Sequence, residues 1–600
     1  MYILGISCHY HEASAAIIHD GRIIAAAAEE RFSRKKHDAD VPTQAISYCL
    51  RAAGIRPHEL EYAVFYEKPF QKFERNLTVS AAYAPYSGSW FVESMRNSLT
   101  EKLWIKSTIL QELESIEKSS VQHQISQAAR VLPLVSPNAT HKGTPAVGAP
   151  RLASPAHITP DRILFVPQHL SHAAASFYPS PFAHAAYLTL DAVGEWTTGS
   201  WGVAKGHKIY PTAELRFPHS VGLLYSAFTA LLGFEVNDGE YKVMGMAGYG
   251  KPVYVQKIKN IFRQFPDGSI ELDLSYFSFH QSTRSMYSDT FRREFAGCDR
   301  FDLAASIQTV TEDIIFTMMT HVARTTGESN LVYGGGVALN SVVNGLITKR
   351  TPFRHVFIYP AAGDDGAAVG AALYVYHHIL GNRKRYPIRD MFLGEQYSST
   401  SIKQFLIKNK IPYKKYTDKT VCQYIADQLI AGRVVGWFEG RAEFGPRALG
   451  HRTILADPRN PKMKDIVNGK IKFREEFRPF APVVLSEYAA RYFDITEQSL
   501  SPFMLGTFRT KAGARSIAAA TTHVDGTSRI QTVSRTYPGR YRGVVKAFYR
   551  KTKRPILLNT SFNLKGEPIV NSPEDAYSTF MRSGIDILVL ENFVILKPVP

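Results

Sequence analysis

The chain has 600 residues, of which 45% are apolar and 21% charged, and it carries a formal charge of +18. The length leaves room for two or more domains with their own cores. The composition is ordinary for a soluble globular protein, and no run of about 18 apolar residues occurs, so no membrane-spanning helix is expected.

The opening stretch MYILGISCHYHEASAA has neither a basic flank nor a long apolar core, so it is not read as a secretory signal. Cys8, Cys49, Cys298 and Cys422 lie far apart with no CxxC spacing, which suggests neither a disulfide framework nor a zinc site. These features point to a cytoplasmic protein. The positive charge favours anionic partners. Because there is no basic tail or recognised nucleic-acid module, small phosphate-bearing substrates are expected rather than nucleic acid.

YILGISCHYHEASAAIIHDGRII from Tyr2 aligns without gaps on YLTLDAVGEWTTGSWGVAKGHKI from Tyr187. Each copy reads as strand, polar loop, strand, tight turn, strand, with Gly21 and Gly206 where a hairpin needs φ > 0. Two such units imply two α/β halves that face each other. The loops Ser7–Ser14 and Asp191–Thr198 would then border the cleft between them. Residues 118 to 160 hold six prolines and no acidic residue, and are expected to be a loosely ordered insertion.

PQHLSHAAASFYPSPF places His169 and His172 three residues apart, a spacing at which two imidazoles share a helix face and hold a metal. GEYKVMGMAGYG offers Lys242 between glycines, and YGGGVALN sets Gly334, Gly335, Gly336 and Asn340 at the end of a strand, where a nucleotide lies against backbone. PAAGDDGAAVGAAL puts Asp364 in a glycine-flanked turn before a helix, a setting for a metal or phosphate partner.

Residues 386–397 read as a linker between a first domain, 1–385, and a second, 398–600. In the second, TVCQYIADQLIAGRVVGWF predicts a helix ended by Gly432 and then a buried strand. GRAEFGPRALGHRTILADPR follows, with Arg441, Arg447 and Arg452 among Gly440, Gly445, Pro446 and Gly450. Glycines admit a ligand to the backbone and arginines clamp phosphate oxygens in pairs, so this stretch predicts a phosphate pocket. IKFREEFRPFAP adds Lys472, Arg474 and Arg478, and LLNTSFNLKGEP adds the donor-rich set Asn559, Thr560, Ser561 and Asn563.

These motifs, with EERFSRKKHD and the Arg529-bearing DGTSRIQTV, occur in an order that resembles the O-carbamoyltransferases of nodulation and antibiotic tailoring, over almost the whole chain except the insertion. The resemblance implies an α/β fold: a duplicated N-terminal domain of the ASKHA type (actin, sugar kinase and heat-shock ATPase folds), then a YrdC-like C-terminal domain. It implies that the C-terminal domain makes carbamoyladenylate from carbamoyl phosphate and ATP with Mg, and that the N-terminal domain passes the carbamoyl group to a hydroxyl of a small-molecule acceptor. Arg441, Arg447, Arg452, Arg478 and Arg529 would hold phosphates, together with Asn559, Thr560, Ser561 and Asn563. The metal would be Fe(II), anchored by His172 and Asp364. The family has a histidine where this chain has Gln168, so the further ligand is the Gln168 oxygen or His169. His11 would be the general base, because a free imidazole titrates near neutrality. Asp191 would position metal or ribose. A second copy of the chain is a further expected partner. The alternatives are a tRNA-modifying carbamoyl-transfer enzyme, a sugar-kinase-like phosphotransferase and a non-catalytic ATP-binding scaffold.

Overall fold

The computed structural model describes residues 1–131 and 158–597. Its first sheet is built from β1 (Tyr2–Ser7), β2 (Ser14–His19), β3 (Arg22–Ala28), β4 (Tyr62–Phe65) and β5 (Ile163–Phe165), in the order β3-β2-β1-β4-β5. The second contains β6 (His184–Leu190), β7 (Thr197–Lys205), β8 (Lys208–Arg216), β9 (Asn330–Gly334) and β10 (His355–Ile358), in the order β8-β7-β6-β9-β10. Each is an antiparallel three-strand meander extended by two parallel strands. The identical order bears out the duplication and the expected ASKHA-type arrangement. The β2–β3 turn has φ of 48° at Asp20 and 80° at Gly21, and Gly206 turns β7 into β8 at φ 60°.

The halves differ in what they insert. Helices α1 (Pro69–Ala82) and α2 (Ile105–Val131) lie between β4 and β5, while the β9–β10 connection is short. Helix α2 runs into the segment expected to be loosely ordered, so its first part is helical. Residues 132–157 of that segment lie outside the described residues.

Two helices occupy equivalent places in the halves: α3 (Gln168–Phe177) follows β5 and α4 (Asp364–Tyr374) follows β10. They cross closely. A Cβ on Gly370 of α4 would stand 1.8 Å from the Ser171 carbonyl oxygen of α3, and one on Gly5 of β1 would stand 1.8 Å from the Ala368 oxygen of α4. The small residues of GAAVGAA thus let α4 sit against a strand and a helix at once. This brings the N-terminal ends of α3 and α4 to one place, between the two cleft loops.

The C-terminal part forms a mixed sheet of β11 (Lys414–Lys415), β12 (Val435–Phe438), β13 (Arg452–Ala456), β14 (Ala481–Leu485), β15 (Gln531–Val533), β16 (Ile556–Ser561), β17 (Ile587–Leu590) and β18 (Phe593–Leu596), in the order β11-β18-β17-β12-β13-β16-β14-β15. Alternate residues face opposite cores: Val435, Trp437 and Leu455 one way, Phe438, Ile454 and Ala456 the other. The expected helix before β12 spans Asp418–Ile430, and Gly432 follows it with φ 82°. Residues 386–397 contain neither helix nor strand, and Met391 and Phe392 are buried there, with Phe392 stacked on His451 at 3.6 Å. No described helix is long and apolar enough to cross a membrane.

Candidate functional site

A cavity of about 670 Å³ lies where the two halves and the C-terminal part meet. Its wall takes His11 and Glu12 from the first cleft loop and Asp191 from the second. The C-terminal part adds Arg447, Arg474, Arg478, Arg529, Asn559, Thr560, Ser561 and Asn563.

Asp191 is joined by His172 and Asp364, which lie behind the cavity wall; all three are buried and offer ligand atoms within 4.8 Å of one another. His172 lies one turn into α3, Asp191 directly follows β6, and Asp364 is the first residue of α4, where the helix N-terminus favours a carboxylate. His172 Nε2 is 3.0 Å from Asp191 and 3.3 Å from Asp364, yet has the angle of a hydrogen bond to neither. Burial alone would lower its pKa, but the two carboxylates push it up to about 10. Burial acts against ionisation of Asp191, and His172 outweighs it, holding that pKa down to about 2. Two carboxylates buried together need positive charge beside them. A nitrogen and two carboxylates with a buried, unbonded Nε2 fit a divalent cation.

The two other expected ligands point elsewhere. Gln168 Nε2 donates to Asp364 Oδ1 at 2.8 Å, so the amide braces the carboxylate and turns its nitrogen, not its oxygen, to the triad. His169 Nδ1 meets Thr189 Oγ1 at 2.8 Å, and burial, then His172, lower its pKa to about 3.

His11 differs from its expectation in another way. Burial would lower its pKa, but Glu12 and then Asp364 push it up to about 9, so it is a cation at neutral pH in this state. Glu12 has φ 55° and so turns its carboxylate back between two imidazoles: His11 Nδ1 at 3.8 Å and His37 Nδ1 at 3.5 Å. His37 Nε2 continues to Asp238 at 3.1 Å, and Asp238 also binds Lys36 and Lys242. Lys242 therefore acts on Asp238 and does not line the cavity. Sequence reasoning missed Glu12, His37 and Asp238, which come from three separate stretches; the charged cluster KKHD was the available signal.

The glycine turn divides similarly. Gly336 and Asn340 line the cavity. Asn340 also caps the next short helix and binds Gln308 at 3.0 Å. Gly334 and Gly335 instead allow close packing: a Cβ would stand 2.6 Å from Ser176 Oγ in the first case and 2.2 Å from the Leu190 oxygen in the second.

Arg447, Arg474, Arg478 and Arg529 stand together in the cavity wall. Burial lowers the pKa of Arg447 to about 10 and of Arg474 to about 9, and Arg529 is driven well down by burial and then by the other three arginines. Arg447 Nε and Arg529 Nε are buried with no partner. Glu475 is the carboxylate near Arg478, at 3.6 Å, and Arg478 also reaches Tyr241 Oη at 3.1 Å. So many guanidiniums facing one space without matching carboxylates make an anion site. Arg474 lines the cavity too, although it also donates to Asn468 Oδ1 at 2.8 Å and to the Pro479 carbonyl at 3.2 Å.

Arg441 and Arg452 do not join this cluster. Arg441 donates to the carbonyls of Gly394, Ile24 and Leu393 and to Tyr48 Oη. Arg452 is fully buried over Phe438 at 3.6 Å and donates to the carbonyls of Glu439, Gly440 and Glu395. Arg441 thus ties the loop to residues 386–397 and to the first half, and Arg452 closes the loop's own fold. Asn559 is likewise bonded inward, to the Ala448 carbonyl and Gln531, and Ser561 donates to Asn563 Oδ1 at 2.7 Å.

Known proteins resemble the chain along nearly its full length. The family described as carbamoyltransferase N-terminus matches residues 2–373, and carbamoyltransferase C-terminus matches 426–597. An uncharacterized Synechocystis protein, sll1178, is 41% identical over 99% of this chain and 97% of its own. Nodulation protein NolNO of Sinorhizobium fredii is 34% identical over 98% and 79%. The 3'-hydroxymethylcephem-O-carbamoyltransferase of Amycolatopsis lactamdurans is 29% identical over 66% and 74%. Both family models match in order along the chain, and Asp191 of the triad lines the same cavity as the arginines: the chain belongs to the carbamoyltransferase family, enzymes that transfer carbamoyl groups.

Proposed function

We propose that this enzyme uses ATP and carbamoyl phosphate to form carbamoyladenylate and moves the carbamoyl group to a hydroxyl of a small-molecule acceptor. The observation that carries this reading is the arginine cluster, in which Arg447 Nε and Arg529 Nε are buried without a partner, lining the same cavity as His11 and Asp191. We assign adenylate formation to residues 398–600 and transfer to 1–385, with 386–397 between them.

A carbamoyl carbonyl is a poor electrophile because its nitrogen donates into it, and esterification to AMP supplies a leaving group. Water displaces inorganic phosphate from carbamoyl phosphate, the carbamate oxygen attacks the α-phosphorus of ATP, and pyrophosphate leaves; Arg447, Arg474, Arg478 and Arg529 offset the phosphate charge through these steps. The adenylate then faces the triad. The acceptor oxygen adds to the carbamoyl carbon, AMP leaves, and the hydroxyl proton needs a base. His11 stands in the loop that borders the triad. Glu12, and then Asp364 and Asp191, keep it protonated, so it accepts a proton once positive charge offsets those carboxylates, Glu12 included. A divalent metal, when bound, polarises the carbonyl, and His172, Asp191 and Asp364 are the residues that would hold it.

The test is incubation with ATP and carbamoyl phosphate, with and without polyhydroxylated metabolites, followed by mass spectrometry. Formation of AMP and pyrophosphate that depends on carbamoyl phosphate, with the mass of a carbamoyl group added to an acceptor, is the expected result. ADP with a phosphorylated acceptor would point to a kinase, and a modified tRNA to a nucleic-acid substrate; either would overturn the reading.

A further inference from the structure

Glu195 lies in the same turn as Asp191 and has no part in the chemistry above. It is 4% exposed. Its Oε1 accepts from the Lys68 backbone N–H at 2.7 Å and from the Gln168 backbone N–H at 3.1 Å, and Oε2 lies 3.3 Å from the latter. Gln168 is the first residue of α3, and the preceding Pro167 supplies no side-chain cap; Lys68, before α1, supplies none either. One carboxylate thus closes the start of two helices, where unpaired N–H groups and the helix dipole both favour it.

The rest of the turn is tied to the same helices. Arg75 of α1 donates to the Gly194 carbonyl at 2.6 Å. A Cβ on Gly194 would stand 3.1 Å from Gln168 Oε1 and 3.2 Å from the His169 ring. The neighbouring carboxylate Glu67 is neutralised by Lys72 and Lys102, which leaves Glu195 to the backbone.

Gln168 is therefore held at both ends. Its backbone N–H is bound by the turn that carries Asp191, and its side chain binds Asp364 at 2.8 Å. We propose that Glu195 is a positioning residue for the His172, Asp191 and Asp364 triad: through Gln168 it fixes the spacing of the three elements that bring those side chains together. This rests on reading the triad as a divalent-metal centre. Second-layer partners of ligands commonly alter metal affinity by about 10- to 100-fold.

The experiment is calorimetric titration of the chelator-treated, full-length protein with Mn²⁺ alone, in the parent chain and in Glu195→Gln, Glu195→Ala and His172→Ala. Glu195→Gln keeps the size and one acceptor oxygen, so it reports even where Glu195→Ala does not fold, and circular dichroism identifies the folded variants. The expected result is affinity weakened about tenfold or more in the Glu195 variants and lost in His172→Ala. The rise in Tm on adding inorganic phosphate, which reads the arginine cluster, stays at its parent value. Parent-like Mn²⁺ affinity in folded Glu195→Gln, with loss in His172→Ala, overturns the positioning role and leaves the triad standing. Loss of the phosphate response in step with Mn²⁺ also overturns it, since the effect is then general loosening. Mn²⁺ binding that survives His172→Ala overturns the triad reading, and this inference with it.

Discussion

Arg529 shows what an anion site costs a fold. Three other guanidiniums press on it, burial denies it water, and its Nε has no partner. Such a group destabilises the protein when no ligand is present. Replacing it with an apolar side chain of similar length removes repulsion and leaves no carboxylate orphaned. Arg529→Met is therefore expected to raise Tm while abolishing ATP consumption with carbamoyl phosphate. In the parent chain, inorganic phosphate should raise Tm, by an amount worth about 2.7 kcal/mol at a hundredfold excess over its Kd. That response should shrink in Arg529→Met. A variant less stable than the parent with its phosphate response intact would mean that Arg529 is part of the core. Arg441 and Arg452 show why sequence alone could not sort these arginines. Their acceptors are carbonyls as distant as Ile24 and Leu393, and glycine-rich spacing does not reveal who will be waiting. The glycines misled for a related reason. A Cβ on Gly450 would stand 2.4 Å from Tyr537 Oη, and one on Gly440 would stand 2.9 Å from His451. Gly440 lets the loop pack on itself and Gly450 lets it pack on Tyr537, rather than admit phosphate.

At the scale of elements, the triad depends on how closely α3 and α4 cross. Gly370 is where they touch, and a Cβ there would stand 1.8 Å from a backbone oxygen that no side-chain rotation can clear. Gly370→Ala must push the helices apart, at a cost of about 3 kcal/mol, and must move Asp364 relative to His172. A lower denaturant midpoint and weaker Mn²⁺ binding are expected together. Gly513→Ala, where a Cβ meets nothing within 4 Å, is the control and should change neither. The duplicated hairpins were legible because strand alternation and turn glycines are local signals, written within a few residues. The crossing was half legible: GAAVGAA announces close packing, but not which helix arrives. Asp191 was found through the repeat itself, as the residue at the end of β6 in the loop matching that of His11. Glu195, in the same turn, was invisible because its partners are backbone N–H groups, which leave no mark on composition.

For the whole molecule, the question that the proposed function raises is how two half-reactions would share one cavity without losing a reactive adenylate to water. The joint is polar and specific. Arg31 donates to the Gly445 carbonyl at 3.0 Å, in the loop that presents Arg447. Arg34 donates to the carbonyls of Ile569 and Pro568 at 2.8 and 2.9 Å and pairs with Asp575 at 3.3 Å. On the far side, Arg478 reaches Tyr241 and Lys464 reaches Tyr249. All of the donors at Arg31 and Arg34 come from one stretch, ERFSR, so a short helix after β3 latches the first half onto the C-terminal part. Arg34 does not line the cavity, which makes it the better probe of the latch. Arg34→Ala removes two charge-assisted bonds to backbone, each worth about 1.5–3 kcal/mol, without touching the site. If the latch excludes water, the variant should still consume ATP with carbamoyl phosphate, but release more free AMP per carbamoylated acceptor. The ratio of AMP to product, followed by chromatography, should rise several-fold over the parent chain. An unchanged ratio in a folded Arg34→Ala protein would mean that the cavity is sealed by the arginine and aromatic contacts of the far side, and that the ERFSR latch serves stability alone.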